Sequence, residues 1–262
     1  MSISTVLVVG ATGNIGRLVT AEAIRQDYRT RALARDPSRA AQLDGGVEIV
    51  AGDLTRPESL HTAVDGVDAV IFTHGADGSE QTIEQVSYGG VRDILALLTG
   101  SQVRIVLMSA VGVTARTGMY NASHLADWKR RAERIVRASG QPYTILRPGW
   151  FDANGPDEQQ LVMRQGDRHH AGSPSDGAVA RQQIAQVLVA ALASPTAVGK
   201  TFELVAEPGP ATRDLEPLFT ALPADPDGAL DGVGDAANMP LEEEPQRVRD
   251  DLQRLDGDYS RR

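Results

Sequence analysis

The chain has no cysteine, so neither a disulfide nor a thiol nucleophile is available to it. Aromatic residues make up only 4% of its 262 positions, and histidines number five. The pair His169-His170 lacks metal-ligand spacing to another histidine or to a carboxylate cluster, and no metal site is expected. Long apolar runs are missing as well. The longest continuous one, Val187 to Ala193, falls far short of the roughly 18 residues of a membrane helix, so no membrane partner is expected. No Lys or Arg precedes Val6 to form the basic start of a signal peptide, and a cytoplasmic location is expected. Positive charge is in deficit: Lys and Arg total 26 against 35 Asp and Glu, a net charge of -9, which argues against nucleic acid as a partner.

What is present begins at residue 6. The run Val6-Leu7-Val8-Val9 feeds Gly10-Ala11-Thr12-Gly13-Asn14-Ile15-Gly16 and then an amphipathic segment. A strand that breaks into glycines before a helix lets backbone approach a pyrophosphate closely, and the helix start offers it unpaired N–H groups. The spacing is Gly-x-x-Gly-x-x-Gly rather than Gly-x-Gly-x-x-Gly, so position supports the assignment more than the letters do.

A hydrophobic content of 41% supports a substantial core. Strand-like runs fall at 4–9, 29–34, 47–51, 69–73, 104–108 and 143–147, and helix-like segments at 15–26, 38–43, 57–64, 82–98 and 123–138. This alternation predicts an α/β, Rossmann-like, doubly wound parallel sheet. Three regions are expected: a dinucleotide-binding core over 1–150, a substrate-side segment over 151–222 completing the same domain, and an acidic, irregular tail over 223–262. Within these, 152–177 reads as loop, 178–193 and 214–222 as helices, 202–205 as a strand, and 248–255 as one helix in a solvated tail.

Ligands of such sheets bind at the C-terminal strand edge. There the second strand ends in Arg35 rather than a carboxylate, with Arg39 in the next turn; two arginines suit the 2′-phosphate of NADP, so NADP(H) is expected over NAD(H). Asp36 lies one residue beyond the usual ribose-binding place. Asp53 can accept from the adenine amino group, or cap its own turn, while Leu54 packs on the ring. Thr73-His74-Gly75 lets the chain pass close to the cofactor, with His74 either polar toward the ligand or an ordinary loop histidine.

The series Gly10 to Gly16, Leu33-Ala34-Arg35-Asp36-Pro37, Gly52-Asp53-Leu54, Ser109-Ala110-Val111-Gly112, Lys129 with Ala132-Glu133, and Tyr143 through Gly149 resembles the atypical short-chain dehydrogenase/reductase family. The nearest branches are the NmrA-like and biliverdin-reductase-B-like ones. The resemblance implies Ser109 as a polar contact to nicotinamide or substrate and Lys129 as a ligand of the nicotinamide ribose. It also implies that Pro148, Gly149 and Trp150 run beside the ring. Catalytic members carry a tyrosine four residues before the lysine, on the same helical face; here that position is Leu125. His124 and Tyr120 are the alternative proton donors, with solvent or substrate as a further source. The expected activity is hydride transfer to a small carbonyl, quinone-like or conjugated substrate. The alternative is a non-catalytic NADP(H)-binding redox sensor of the NmrA-like type. Monomer and homodimer both stay open.

Overall fold

The computed structural model describes residues 3–40, 42–43 and 45–259. In chain order come β1 (Thr5–Val9), α1 (Asn14–Arg25), β2 (Arg29–Ala34), α2 (Pro37–Ala40), β3 (Glu48–Ala51), α3 (His61–Val64) and β4 (Ala69–Phe72). Next are α4 (Glu80–Ile83), a π-helical turn (Glu84–Gly89), α5 (Gly90–Leu97), β5 (Arg104–Met108), α6 (Leu125–Ala138) and β6 (Tyr143–Pro148). Last come β7 (Trp150–Phe151), β8 (Gln160–Arg164), β9 (Ala178–Val179), α7 (Arg181–Ala193), β10 (Lys200–Glu207), α8 (Glu216–Ala221) and α9 (Gln246–Tyr259).

One sheet has the order β3-β2-β1-β4-β5-β6-β10-β8; only β8 runs antiparallel to its neighbour, and β7 pairs with β9 in a separate two-stranded piece. The fully buried strand β1 shows why the sequence folds this way. Val6 and Val8 point into one core with α1 and α7, while Leu7 and Val9 point into the other, beneath α3, α5 and α6. A strand covered on both faces needs a continuous apolar run, which is how Val6–Val9 reads. Helix α1 turns Ile15, Val19 and Ala23 inward at four-residue spacing, the stripe an α-helix needs to seat on a sheet. Strand order reverses between β1 and β4, and the crevice opens there, at the C-terminal ends.

Three expectations change. Strand β8 lies inside the stretch read as loop, because a polar sequence such as Gln160–Arg164 becomes a strand only through its pairing with β10. The helix read over 82–98 is α4 and α5 joined by the π turn. The acidic tail is not a solvated one. Its carboxylates answer the arginines of α6, which are buried rather than displayed to solvent. Asp231 accepts from Arg130 and Arg134, Glu244 from Arg131 and Arg134, and Asp225 from Arg137. Asp235 takes Arg147 with two bonds of 2.7 Å. Helix α9 follows, with Val248 and Leu252 in the core and Asp251 accepting from Tyr88 Oη at 2.9 Å. Buried guanidinium groups require paired carboxylates, and this segment supplies them. The expected helix beyond Ala40, at residue 41, and the final residues 260–262 of the tail lie outside the described residues.

Candidate cofactor and active site

The turn after β1 is built by its glycines. Gly10 has φ +86°, and a Cβ there would sit 2.7 Å from the backbone nitrogen of His74, so the β1 and β4 loops meet only because that atom is absent. A Cβ on Gly16 would fall inside the carbonyl of Gly10. Gly13 caps α1 without a side chain and no acidic residue occupies the first turn, so no side chain answers the positive end of this twelve-residue helix. Thr12 and Gly13 line a cleft of about 450 Å³ that continues past Arg35, Arg39, Asp53 and Leu54 to Thr73, His74 and Gly75.

Along this cleft the charges are sorted. Arg35 and Arg39 are exposed and form no ion pair among the described residues. The carboxylate of Asp36 is turned away into its own turn, accepting from Ser38 N at 3.0 Å and Ser38 Oγ at 2.7 Å. Asp53 does the same with Thr55 N and Oγ1, both at 2.9 Å; the Thr55 amide holds its carboxyl below the usual range despite some burial. Thr73 Oγ1 donates across to Val9 O at 2.9 Å, tying β4 to β1. Asp36 and Asp53 are thus bonded into their own turns, and the guanidinium groups of Arg35 and Arg39 keep their donors free of ion-pair partners among the described residues.

Deeper in, His74 also borders a small hollow with Ser87, Ser109 and Lys129. His74 Nε2 donates to the carbonyl of Val86 at 3.0 Å, and Nδ1 is buried without a hydrogen-bond partner. Burial, reinforced by the Lys129 charge, lowers the imidazole to about 4, so the ring is neutral at pH 7. Ser109 Oγ is buried beside Glu133 and helps hold that carboxyl low, yet it has no bond of ordinary geometry. Lys129 is half-buried and has neither an ion pair nor a hydrogen bond among the described residues. Burial lowers its ammonium, while Glu133 and Asp77 pull it back up. Glu133, one turn along from Lys129, is buried, which opposes ionisation. Arg147 and Arg137 outweigh that and hold it at about 2.

The other candidates lie elsewhere. The Tyr120 hydroxyl donates to Asp176 Oδ2 at 2.6 Å and accepts from Trp150 Nε1 at 2.9 Å; burial and that carboxylate raise its pKa. His124 stands at the start of α6 with left-handed backbone, φ +59°, and its Nδ1 lies 3.3 Å from Asp127 Oδ2. Neither residue lines the hollow around Ser109, and Leu125 packs against the core. Pro148 ends β6 and Gly149 follows it, close against the carbonyl of Gly177. Sequence reasoning passed over Ser87 and the role of Glu133. A hydroxyl in the middle of a helix and a glutamate in a basic run carry no signal until the fold turns them inward.

A sequence profile of a family described as NAD(P)H-binding matches residues 10–195. Sanguinarine reductase of Eschscholzia californica is 28% identical, covering 82% of this chain and 95% of that protein. The Bacillus subtilis protein YhfK, named an uncharacterized sugar epimerase, is 30% identical, covering 81% of this chain and 99% of its own length. Among solved structures, a short-chain dehydrogenase/reductase of Veillonella parvula in complex with NADP superposes with a TM-score of 0.58 at 19% identity, over 79% of this chain and 96% of that one. At that identity the likeness speaks for the fold. No helix of the described residues is long and apolar enough to cross a membrane. The glycine turn, the crevice and the profile match lead to one assignment: the chain belongs to the NAD(P)H-binding oxidoreductase family, in its atypical short-chain dehydrogenase/reductase group.

Proposed function

We propose that the chain is an NADP(H)-dependent reductase that delivers hydride to a small carbonyl, quinone-like or conjugated acceptor. The observation that carries this reading is the unpaired Lys129 beside buried Ser109 and neutral His74, at the inner end of the nucleotide cleft. A half-buried ammonium with no hydrogen-bond partner of its own is costly unless a ligand answers it. The cleft supports the choice of nucleotide: the α1 terminus would take the diphosphate, and Arg35 with Arg39 would take the 2′-phosphate. Leu54 would flank the adenine, Lys129 would hold the nicotinamide ribose, and Pro148, Gly149 and Trp150 would wall the nicotinamide end. Bound NADPH supplies the hydride. Ser109 and Lys129 then orient the acceptor oxygen and stabilise the charge that develops on it. The NADP seen in the Veillonella parvula relative and the name of the Eschscholzia californica one agree with this reading.

One observation favours a second reading, a non-catalytic NADP(H) sensor: Leu125 fills the place of the usual tyrosine, and the Tyr120 phenol is committed to Asp176. An acceptor panel separates the two. Purified chain with NADPH and a set of quinones, conjugated ketones and aldehydes should show acceptor-dependent loss of nicotinamide absorbance. Tight NADPH binding with no consumption across the panel would replace the reductase by the sensor.

A further inference from the structure

Near the end of β6, Arg147 has every donor taken. Its Nε donates to Glu133 Oε1 at 3.0 Å, and Nη2 donates to Glu133 Oε2 at 2.6 Å and to Asp235 Oδ2 at 2.7 Å. Nη1 donates to Asp235 Oδ1 at 2.7 Å and reaches Glu203 Oε1 at 3.5 Å. A planar guanidinium clamped by carboxylates on two sides cannot turn. The side chains of Glu133, Arg147 and Asp235 are at most 1% exposed, so bulk water replaces none of these bonds. Both ends of this chain of charges are fixed. At the outer end, Asp235 belongs to the strap of acidic residues that covers α6. Its amide donates to Gly232 O at 3.1 Å, its Oδ2 accepts from Gly232 N at 2.9 Å, and Gly234 makes the turn at φ +76°. At the inner end, Glu133 stands one helical turn from Lys129 on the same face of α6, with the Ser109 hydroxyl beside its carboxylate. Strand pairing ties the same place from the other side, because Ser109 N donates at 2.7 Å to the carbonyl of Leu146, next to Arg147. Both oxygens of Glu133 are committed to Arg147, and the Ser109 hydroxyl keeps its proton out of any bond of ordinary geometry.

We propose that Asp235 is a positioning residue for the reduction: by clamping Arg147 from the strap side it keeps the Glu133 carboxylate engaged away from Ser109, so that the Ser109 hydroxyl is free to donate to the acceptor oxygen. The inference rests on the reductase reading and gives the C-terminal strap a task at the site. Without the Asp235 charge, Arg147 loses one side of its clamp and swings toward Glu203, which it already touches. One oxygen of Glu133 is then released, captures the Ser109 proton in a hydrogen bond, and the acceptor loses a donor. Asp231 provides an internal comparison. It lies on the same strap and also ties it to α6, yet its partners Arg130 and Arg134 bond neither Glu133 nor Ser109 among the described residues. The strap is held at both points, and only one of them leads to Ser109.

The NMR signal of Ser109 Cβ in nucleotide-free, serine-labelled protein, assigned with Ser109→Ala, reads the surroundings of the hydroxyl directly. Asp235→Asn should move that signal and lower kcat on a carbonyl acceptor by roughly 10- to 100-fold, the size expected when a group at the reacting centre is displaced by about an ångström, while NADPH affinity stays within about threefold. Asp235→Glu keeps the buried charge, and with it the fold, but displaces the carboxylate by one methylene; it should show the same effects at smaller size. Asp231→Asn should leave the Ser109 signal in place and kcat within about threefold of wild type. A Ser109 signal unmoved in both Asp235 variants would overturn the proposal, and so would a folded Asp235→Asn chain that retains more than a third of kcat. Equal effects from Asp231→Asn would overturn it too, since a loosened strap alone would then account for them. A wild-type chain that binds NADPH and reduces nothing defeats the reductase reading instead, and the nucleotide-free signal keeps the two failures apart.

Discussion

Glu133→Gln removes one charge from the most enclosed ion cluster in the molecule. The carboxylate is fully buried and accepts from Arg147 Nε at 3.0 Å and Arg147 Nη2 at 2.6 Å, with Arg137 Nη2 at 3.3 Å. An amide can accept at only one atom and turns its NH₂ toward a guanidinium. Two buried arginines then share Asp225, Asp235 and Glu203 alone. Breaking a buried pair from one side costs about 3–5 kcal/mol. The folded carboxyl, held at about 2 against a reference of 4.5, points to the same size, on the order of 3 kcal/mol at 1.36 kcal/mol per pKa unit. For a chain of this length that is roughly 6–20 °C in Tm. The sign of the pH dependence follows from the lowered value. The unfolded state takes up the proton first as pH falls, so the stability from Glu133 is complete above about 5 and is lost toward pH 2. Urea midpoints of wild type and variant at pH 7, 5 and 3.5 measure this. The gap should be largest at pH 7 and narrow at 3.5. A loss below about 1 kcal/mol, or a gap indifferent to pH, would refute the account of the cluster.

Glu203 moves the other way: burial, aided by Asp167 and opposed by Arg147, raises it to about 7, so its folded form keeps a proton that the unfolded form releases near 4.5. Stability from Glu203 is therefore present below about 4.5 and lost as pH rises through 7, and Glu203→Gln should raise Tm at pH 8 but not at pH 4.5, as thermal scans at the two values would reveal. Arg35→Ala should weaken NADPH by roughly 10- to 100-fold and NADH by less than threefold in parallel titrations, the loss expected for a charge-assisted contact to phosphate. Gly16→Ala drives a methyl into the Gly10 carbonyl and should abolish nucleotide binding, read by calorimetry, with far-ultraviolet circular dichroism as the check on folding.

Much of this architecture is written locally. Val6–Val9, Ala69–Phe72 and Arg104–Met108 are apolar enough to mark central strands by themselves, and the glycines between Gly10 and Gly16 mark the phosphate turn. Arg35 stands out at the end of β2 from the sequence alone, whereas the turn that ties up the Asp36 carboxylate with Ser38 shows only in the fold. What escaped depends on partners distant in sequence. Gln160–Arg164 is a strand because β10 pairs with it. The acids at 225, 231 and 244 looked like a solvated tail because their arginines lie about a hundred positions earlier, on a helix whose basic face reads as solvent-exposed until those acids cover it, and Asp235 finds its arginine on β6. The π turn at Glu84–Gly89 has no compositional mark, so neither Ser87 nor the neutral state of His74 was legible before the fold brought them to Lys129.

The central claim is that an NADP(H) molecule lies along the cleft from the start of α1 to Lys129. Titration of NADPH, followed by its own fluorescence, tests it most directly. The account expects one nucleotide per chain, saturating well below millimolar, with NADH binding at least about tenfold more weakly through loss of the 2′-phosphate contacts. Fluorescence that stays unchanged up to millimolar NADPH would contradict it.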